Sequence, residues 1–359
     1  MDYQARLERL RNHLKSLQCE ALLIEHPVDL LYLTGLELSP AKLVVTQNES
    51  YLIIPSRDFE YALRQTIYPV HLLNENILKD CIVEAQIHQL AFDQNQTTYQ
   101  DFLALNEWVK NLNHDSYSLE LLPLPSPIQQ LRLIKDREEI TALRKAAHLG
   151  YLGYECIVSL LREGVTESEL AFELEFFWKK RGGSRLAFDP IIAFGPNSSM
   201  PHYRAGSTQL TPNTLVLIDI GVVLAHYHSD MTRVIFFGTP SSQMEAIYSI
   251  VEEAKEKALA LCKPGTLIGD LDRVARDWIT AHGHGEHFTH SLGHGIGLEI
   301  HEPPLLRQNG MHKDISLQPG MVITIEPGIY LPKVGGVRLE DTILIIENGY
   351  ENLTCLQPE

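Results

Sequence analysis

The sequence predicts a protein of mixed α/β (α+β) class with two domains, and three features of the chain support this prediction. Its 359 residues exceed the usual size of one domain. The first part alternates short apolar runs, typical of strands, with segments of helical period. The second part repeats a unit of helices followed by strands. We therefore expect an N-terminal α/β domain and a larger C-terminal domain built from a duplicated unit.

The first part contains candidate helices and strands in alternation. Leucines recur at helical spacing from Arg6 to Leu17, and two apolar runs on either side of Gln47-Asn48-Glu49-Ser50 predict a β-hairpin. The predicted strands are Ala21–Ile24, Lys42–Thr46, Tyr51–Ile54, Val70–Leu73, Leu90–Phe92 and Tyr117–Leu122, and the predicted helices are Arg6–Leu17, Asp58–Ile67, Ile77–Ile87 and Thr98–Asn111. These segments contain no recognisable catalytic motif, because their histidines stand alone.

A proline-rich stretch marks the predicted domain boundary. Pro123, Pro125 and Pro127 lie close together, and proline favours extended backbone and interrupts helices. We place the domains at residues 1–125 and 126–359. Beyond the boundary, apolar residues recur at helical spacing from Lys135 to about Arg162, which predicts one long helix.

The C-terminal part contains a short internal repeat. Gly164 follows a predicted long helix and precedes, after four residues, Glu169-Leu170. Gly265 follows a second predicted helix and precedes Asp270-Leu271 at the same spacing. Each copy is then followed by strand-like runs that carry two carboxylates. The repeat predicts a pseudo-twofold domain with its site at the centre.

Composition narrows the possible functions. The net charge of −16 argues against nucleic acid or an anionic membrane as the main partner. The five cysteines are odd in number and scattered, which is typical of a reduced cytosolic protein and not of a disulfide framework. The N-terminus lacks a signal-peptide core, and no apolar run is long enough to span a bilayer. We expect a cytoplasmic protein without a nucleic-acid or membrane partner.

Four carboxylates and one histidine of the second part stand in or beside apolar, strand-like runs. They are Asp219, Asp230, His294, Glu326 and Glu340. A buried carboxylate is costly unless it is paired or binds a cation, so a metal is the simplest explanation for the set. Oxygen ligands with one imidazole and no thiolate suit Mn²⁺, Co²⁺, Fe²⁺ or Zn²⁺. Bridging carboxylates could hold two such ions roughly 3.5–4 Å apart, with hydroxide between them.

Four segments in this order resemble the motifs of the pita-bread metallopeptidases, and among them the aminopeptidase P/prolidase branch. The segments are Leu217–Gly221 with Ser229–Arg233, Gly293–Pro303, Thr324–Tyr330 and Gly336–Asp341. The resemblance covers the whole chain. It implies a creatinase/prolidase-like α/β domain followed by a pita-bread domain, in which helices flank a curved antiparallel sheet of pseudo-twofold symmetry. The implied reaction is hydrolysis of Xaa-Pro bonds in short proline-containing peptides, with release of the N-terminal residue.

The resemblance also implies a role for each matching residue. Asp219 would bind one metal ion, His294 and Glu326 would bind the other, and Asp230 and Glu340 would bridge both. His202, His301, Glu326 and Arg338 would be catalytic, with Glu326 as proton shuttle, and His202, His301, Tyr330 and Arg338 would contact the substrate. The expected cofactor is a pair of divalent ions, Mn²⁺ first and Co²⁺, Fe²⁺ or Zn²⁺ as alternatives, and the expected assembly is a homodimer. His282, His284, His287 and His290 are expected to be non-ligands.

Several alternatives stay open at this point. Methionine aminopeptidases share the fold and a similar histidine-glycine stretch, but they usually lack the N-terminal domain. A non-catalytic peptide-binding module on the same fold would be expected to lose metal ligands, and this chain has all five types. Within the branch, a dipeptidase must capture the free carboxylate of its substrate, for which Arg338 and Arg307 are candidates. An aminopeptidase P must leave that side open.

Overall fold

A computed structural model of the chain describes residues 1–114 and 117–355. The chain divides into two compact units, Met1–Arg132 and the part that begins at Leu133. Among these described residues, none of the helices has the length and apolar character needed to cross a bilayer. The prolines that mark the predicted boundary lie inside the first unit, and the limits 1–125 and 126–359 stay a prediction.

The first unit is a six-stranded mixed sheet with helices between its strands. Its elements are α1 (Tyr3–Ser16), β1 (Ala21–Ile24), α2 (Pro27–Thr34), β2 (Lys42–Thr46), β3 (Ser50–Ile54), α3 (Ser56–Gln65), β4 (Val70–Leu72), α4 (Ile77–Glu84), β5 (Gln89–Asp93), α5 (Tyr99–His114), β6 (Glu120–Leu124) and α6 (Pro127–Arg132). The strand order is β4-β3-β2-β1-β5-β6, with β2 antiparallel to both of its neighbours and the other pairs parallel. The predicted alternation of helices and strands is confirmed, and β2–β3 is the predicted hairpin.

Two helices of the first unit, α2 and α6, are absent from the sequence prediction. The short helix α2 is mostly apolar, so it lacks the polar face on which a periodicity argument depends. It begins at Pro27 and ends at Gly35, whose φ is +75°. The proline-rich stretch is not a linker. Pro123 lies in β6, an edge strand where proline is tolerated, and Pro127 is the first residue of α6.

The second unit combines antiparallel sheets with long helices. Its elements are α7 (Arg137–Leu160), α8 (Glu167–Lys180), β7 (Arg185–Leu186), β8 (Ile191–Phe194), β9 (Thr214–Ile220), β10 (Val222–Leu224), β11 (Tyr227–His228), β12 (Met231–Phe237), α9 (Ser242–Leu259), α10 (Ile268–Ala281), β13 (Gly293–Gly295), β14 (Glu302–Leu306), β15 (Val322–Ile325), β16 (Gly328–Leu331), β17 (Gly335–Arg338), β18 (Asp341–Ile346) and β19 (Gly349–Asn352). The strand orders are β11-β10-β7, β12-β9-β8, β14-β13-β15-β18-β19 and β16-β17. Capping boxes begin α7, with Asp136 and Glu139, and α8, with Thr166 and Glu169.

The predicted internal repeat is visible in the backbone. Gly164 and Gly265 have φ values of +82° and +89°, and they donate their N–H groups at 2.9 Å to the carbonyls of Leu210 and Leu317. After β9 comes the hairpin β10–β11, and then β12 returns antiparallel to β9. After β15 comes the hairpin β16–β17, and then β18 returns antiparallel to β15. The pseudo-twofold arrangement expected from the sequence is therefore confirmed.

Strand β9 is buried on both faces, and this burial fixes the place of Asp219. Val216 and Ile218 pack into a cluster with Trp178 of α8. Leu217 points to the other face, into a cluster with helices α9 and α10. Full burial of one such aliphatic side chain stabilises the fold by about 1.5–3 kcal/mol. Because side chains alternate along a strand, Asp219 lies on the face of Leu217, where its carboxylate interrupts an otherwise apolar surface.

Gly293 tests how closely the second half of the repeat is packed. A Cβ on Gly293 would lie 2.0 Å from the Thr324 carbonyl oxygen of β15, so Gly293→Ala must separate β13 from β15. We expect the substitution to lower the free energy of unfolding by about 2–3 kcal/mol. The control is Gly283→Ala, where φ is +82° and a Cβ would meet nothing within 4 Å, and which should cost only about 1–2 kcal/mol. Equal urea midpoints for the two variants would contradict the close approach.

Candidate metal centre and active site

The five predicted metal ligands lie on strands from both halves of the repeat or directly beside them. Asp219 is the penultimate residue of β9, Asp230 and Glu340 directly precede β12 and β18, His294 is the middle residue of β13, and Glu326 directly follows β15. The register pairs Asp219 with Thr232 and Ile325 with Asp341. Each returning strand therefore brings its own carboxylate back beside the end of the first strand.

The side chains of these residues converge. Ligand atoms of Asp230, His294 and Glu340 all lie within 4.8 Å of one another. His294 Nε2 is 3.4 Å from Glu326 Oε1 and 3.6 Å from Asp230 Oδ2. Glu326 is the most exposed of the set that surrounds His294, with 16% of its side-chain surface accessible. The structure thus brings together residues that are up to 121 positions apart in the chain, from Asp219 to Glu340.

A threonine of each half of the repeat donates a hydrogen bond to an acidic residue of the other half. The hydroxyl of Thr232, two residues after Asp230, donates to Glu340 Oε2 at 2.7 Å. The hydroxyl of Thr342, two residues after Glu340, donates to the carbonyl oxygen of Asp230 at 2.8 Å. Both threonines are buried. Neither threonine is among the predicted site residues, although a carboxylate-x-Thr pattern occurs in each copy of the repeat.

Burial and mutual repulsion make three of these carboxylates, Asp230, Glu326 and Glu340, weak acids in the absence of a cation. Burial and the neighbouring Asp219 raise the pKa of Glu340 to about 8. Burial and Glu340 raise the pKa of Asp230 and of Glu326 well above the ordinary range. Like charges in a low-dielectric site oppose each other's ionisation, and a bound cation removes that opposition.

The donor atoms fit divalent metal ions. Asp219 Oδ1 and Glu340 Oε1 are buried and have no hydrogen-bond partner among the described residues. His294 Nδ1 donates to the Gly295 carbonyl at 3.0 Å, which leaves the lone pair on Nε2. Burial and the nearby His301 lower the pKa of His294 to about 3, so the imidazole is neutral. Unpaired carboxylate oxygens around a neutral imidazole nitrogen are ligands that Mn²⁺, Fe²⁺, Co²⁺ and Zn²⁺ accept.

Arg338 is buried, and its guanidinium donates hydrogen bonds to three side chains of the site. Nη2 donates to Asp219 Oδ2, Nη1 donates to the Tyr330 hydroxyl at 2.6 Å, and Nε donates to Thr232 Oγ1 at 3.2 Å. The positive charge therefore offsets Asp219 and fixes its orientation. Arg338 and the exposed Arg204 both line the same cavity.

His290 is a site residue that the sequence analysis sets aside as a non-ligand. Its Nδ1 donates to the Ser291 carbonyl at 2.8 Å, and its Nε2 accepts from the Tyr330 hydroxyl at 2.9 Å. Burial and the nearby Arg338 lower the pKa of His290 to about 4, so it is neutral near pH 7. It lies four residues before His294, at the end of a histidine-rich run. Nothing in the sequence distinguishes it from the other histidines of that run.

A cavity of about 700 Å³ opens over the predicted ligands. Its wall includes Phe188, Ile191, His202, Tyr203, Arg204, His290, Ile300, His301, Pro303, Leu305 and Arg338. The exposed His301 ring stands edge-on to His294 with 4.3 Å between ring centroids. Burial and His202 lower the pKa of His301. Of the residues predicted to contact substrate, Tyr330 and the candidate Arg307 are not part of this wall. Tyr330 reaches the wall through His290 and Arg338.

Two protein families match most of the chain. Residues 141–347 match metallopeptidase family M24, and residues 6–134 match the creatinase/prolidase N-terminal domain. Both matches agree with the resemblance stated from the sequence motifs.

Three of the proteins similar to the chain have names that refer to Xaa-Pro or X-Pro peptidases. The Xaa-Pro dipeptidase of Pyrococcus furiosus is 36% identical over 355 residues, which are 99% of each chain. The solved structure of an Xaa-Pro dipeptidase from Bacillus anthracis has a TM-score of 0.90 at 33% identity and covers 100% of this chain and 99% of its own. That of an X-Pro aminopeptidase from Thermotoga maritima has a TM-score of 0.85 at 31% identity and covers 97% of this chain and 99% of its own.

Because Glu340 is buried among other carboxylates, we expect Glu340→Gln to weaken metal binding but to stabilise the metal-free protein at alkaline pH. Glu340 has an unfolded pKa near 4.5 and a folded pKa of about 8 without metal, so the metal-free protein should lose stability as pH rises between these values. Glu340→Gln removes that loss, and it should raise the urea midpoint of the chelated protein at alkaline pH. The same variant should lose bound metal, measured by elemental analysis, and so should Asp230→Ala. Retention of two ions per chain by either variant would exclude the bridging assignment.

Proposed function

The chain belongs to metallopeptidase family M24, and we propose that it hydrolyses Xaa-Pro bonds at a centre of two divalent ions. The chain is a metal-dependent peptidase by its family, and the substrate and the ligand roles are the proposed part. The observation that carries the proposal is the convergence of four carboxylates and one neutral imidazole at the base of a cavity, with two carboxylate oxygens left unpaired. Asp219, Asp230, His294, Glu326 and Glu340 are the proposed ligands, with Asp230 and Glu340 shared between the ions.

The chemistry divides between the ions and the side chains around them. Bound divalent ions would act as Lewis acids toward the scissile carbonyl and the attacking water. Glu326 is the proposed proton carrier, because its carboxylate lies at the cavity and is the most exposed of the set around His294, where it can accept a proton from water and deliver it to the proline nitrogen. His301 and His202 line the cavity, and an imidazole N–H there donates to the oxyanion that develops on the carbonyl. Arg338 holds Asp219, and through Tyr330 it also orients His290.

The proposed substrate explains the character of the cavity wall. An Xaa-Pro bond is a tertiary amide, so it offers no N–H to an enzyme, and recognition has to use the ring and the peptide termini. Phe188, Ile191 and Ile300 supply apolar wall, and a proline ring is an apolar partner for such surface. Arg204, with 85% of its side-chain surface accessible, is the proposed contact for a substrate carboxylate if dipeptides are cleaved.

The remaining proposals concern metal identity, assembly and compartment. We propose Mn²⁺ as the working metal because oxygen ligands outnumber nitrogen in the set. A homodimer is proposed on the resemblance to the family. The cytoplasm is proposed because all five cysteines, each within the described residues, are unbridged.

The substrate range is tested by hydrolysis of Ala-Pro and of Ala-Pro-Pro side by side with Mn²⁺-loaded protein. We expect cleavage of at least one proline peptide and no cleavage of Met-Ala-Ser, because the latter lacks the ring. Cleavage of the dipeptide alone identifies a dipeptidase with a carboxylate contact, whereas cleavage of the longer peptide identifies an open site of the aminopeptidase P kind. Cleavage of Met-Ala-Ser alone would favour a methionine aminopeptidase, and cleavage of none would favour a binding module.

His301→Ala tests the proposed oxyanion contact. The ring is not a proposed ligand, so the variant should keep its metal, while kcat should fall by about 10²-fold with little change in KM. His312→Ala is the control, because His312 also lines the cavity but has no proposed role in the reaction. It should leave kcat nearly unchanged. An effect of His301→Ala confined to KM would rule out a contact made in the transition state.

A further inference from the structure

The predicted catalytic residue His202 lies on a segment with little regular structure of its own. Residues 200–213 connect a short 3₁₀ turn, Gly195–Ser199, to β9. Within this segment the Tyr203 N–H donates to the Met200 carbonyl at 3.1 Å, which forms one turn around the exposed His202. A side chain on such a loop serves a reaction only if groups outside the loop fix its backbone.

Glu167 provides that support from the first turn of α8. It is 0% exposed. Its Oε1 accepts hydrogen bonds from the Phe194 N–H at 2.8 Å and from Asn197 Nδ2 at 2.9 Å. Its Oε2 accepts from the Tyr203 hydroxyl at 2.7 Å and from the Gly206 N–H at 3.1 Å. One carboxylate thus joins the end of β8, the 3₁₀ turn and two loop residues that follow His202.

We propose that Glu167 is a positioning residue for the peptidase reaction, which holds the loop of His202 at the cavity through these four hydrogen bonds. The proposal rests on the proposed function, because His202 is assigned there to the scissile carbonyl. Glu167 is not among the residues that line the cavity, so it acts through the loop and not on the substrate.

The four bonds require an ionised carboxylate of this length. Two carboxylate oxygens offer about four acceptor sites, and all four are used here. The N-terminal turn of a helix stabilises the negative charge. Glutamine has nearly the same shape, but its NH₂ group would face a backbone N–H in either orientation, that of Phe194 or that of Gly206, and lose that bond. Aspartate is shorter by one methylene and cannot reach both loop residues.

The other half of the repeat shows that the fold itself does not need this acid. Gly164 and Gly265 are equivalent, so the position of Glu167 corresponds to Ile268 at the start of α10. Ile268 is fully buried in the apolar core. The same helix start is therefore built with an aliphatic side chain in one half and with a fully bonded carboxylate in the half that carries His202.

Four variants test the proposal on the metal-loaded protein: Glu167→Gln, His202→Ala, the combination of both, and Glu169→Gln as a matched control in the same turn. We expect Glu167→Gln to keep its metal, to speed amide hydrogen exchange in residues 195–206, and to lower kcat/KM by about 10- to 100-fold. In the His202→Ala background the same change should cost little more, because both substitutions remove one function. Glu169→Gln should leave exchange and kcat/KM unchanged.

Additive losses in the combined variant would overturn the proposal, since they would assign Glu167 a role apart from His202. Unchanged exchange in residues 195–206 would overturn it as well. If Glu167→Gln does not fold, Asn197→Ala removes one of the four donors together with the Asn197 contacts to the Tyr203 hydroxyl and Thr208 Oγ1, and it must show a loss with the same non-additivity. Failure of the wild type to cleave any Xaa-Pro peptide would refute the proposed function, whereas the exchange measurement reads the loop without substrate.

Discussion

Mutual repulsion among buried carboxylates is the constraint on which the second unit depends. Four acidic side chains share one site, and burial with this repulsion raises the pKa of Glu340 to about 8. The protein supplies one buried guanidinium, Arg338, against Asp219. The rest of the compensation falls to bound cations. Two apolar clusters keep the strands in place despite the repulsion among the carboxylates, because the burial of apolar side chains does not depend on protonation.

The duplicated fold places the four acidic side chains at one site by using the same arrangement of strands twice. Each half contributes two strands, one hairpin and two carboxylates, and a threonine from each half bonds the carboxylate residue of the other. The halves differ where the chemistry is asymmetric. The first half carries Glu167 beneath the His202 loop, and the second carries Ile268 at the equivalent position and supplies the only imidazole among the proposed ligands.

The sequence allowed the ligand set to be predicted because acids inside apolar strands are conspicuous. The two-part architecture, the hairpin β2–β3 and the internal repeat were equally visible as patterns of period and spacing. Helices α2 and α6 were not, since one is mostly apolar and the other begins at a proline that also fits a linker. His290, Thr232, Thr342 and Glu167 were missed because their importance lies in contacts across 27 to 112 positions of the chain. Periodicity carries no information about such contacts.

The reciprocal threonine bonds make the proposed metal centre depend on the contact between the two halves of the repeat. A cut in the loop that follows β12 would leave Asp219 and Asp230 on one fragment, and His294, Glu326 and Glu340 on the other. Neither fragment contains a complete ligand set, and each lacks the hydroxyl that holds its own bridging residue. Metal uptake would therefore report fragment complementation directly. By the same reasoning, an ancestral single repeat could have formed a symmetric centre only by pairing with a second copy of itself.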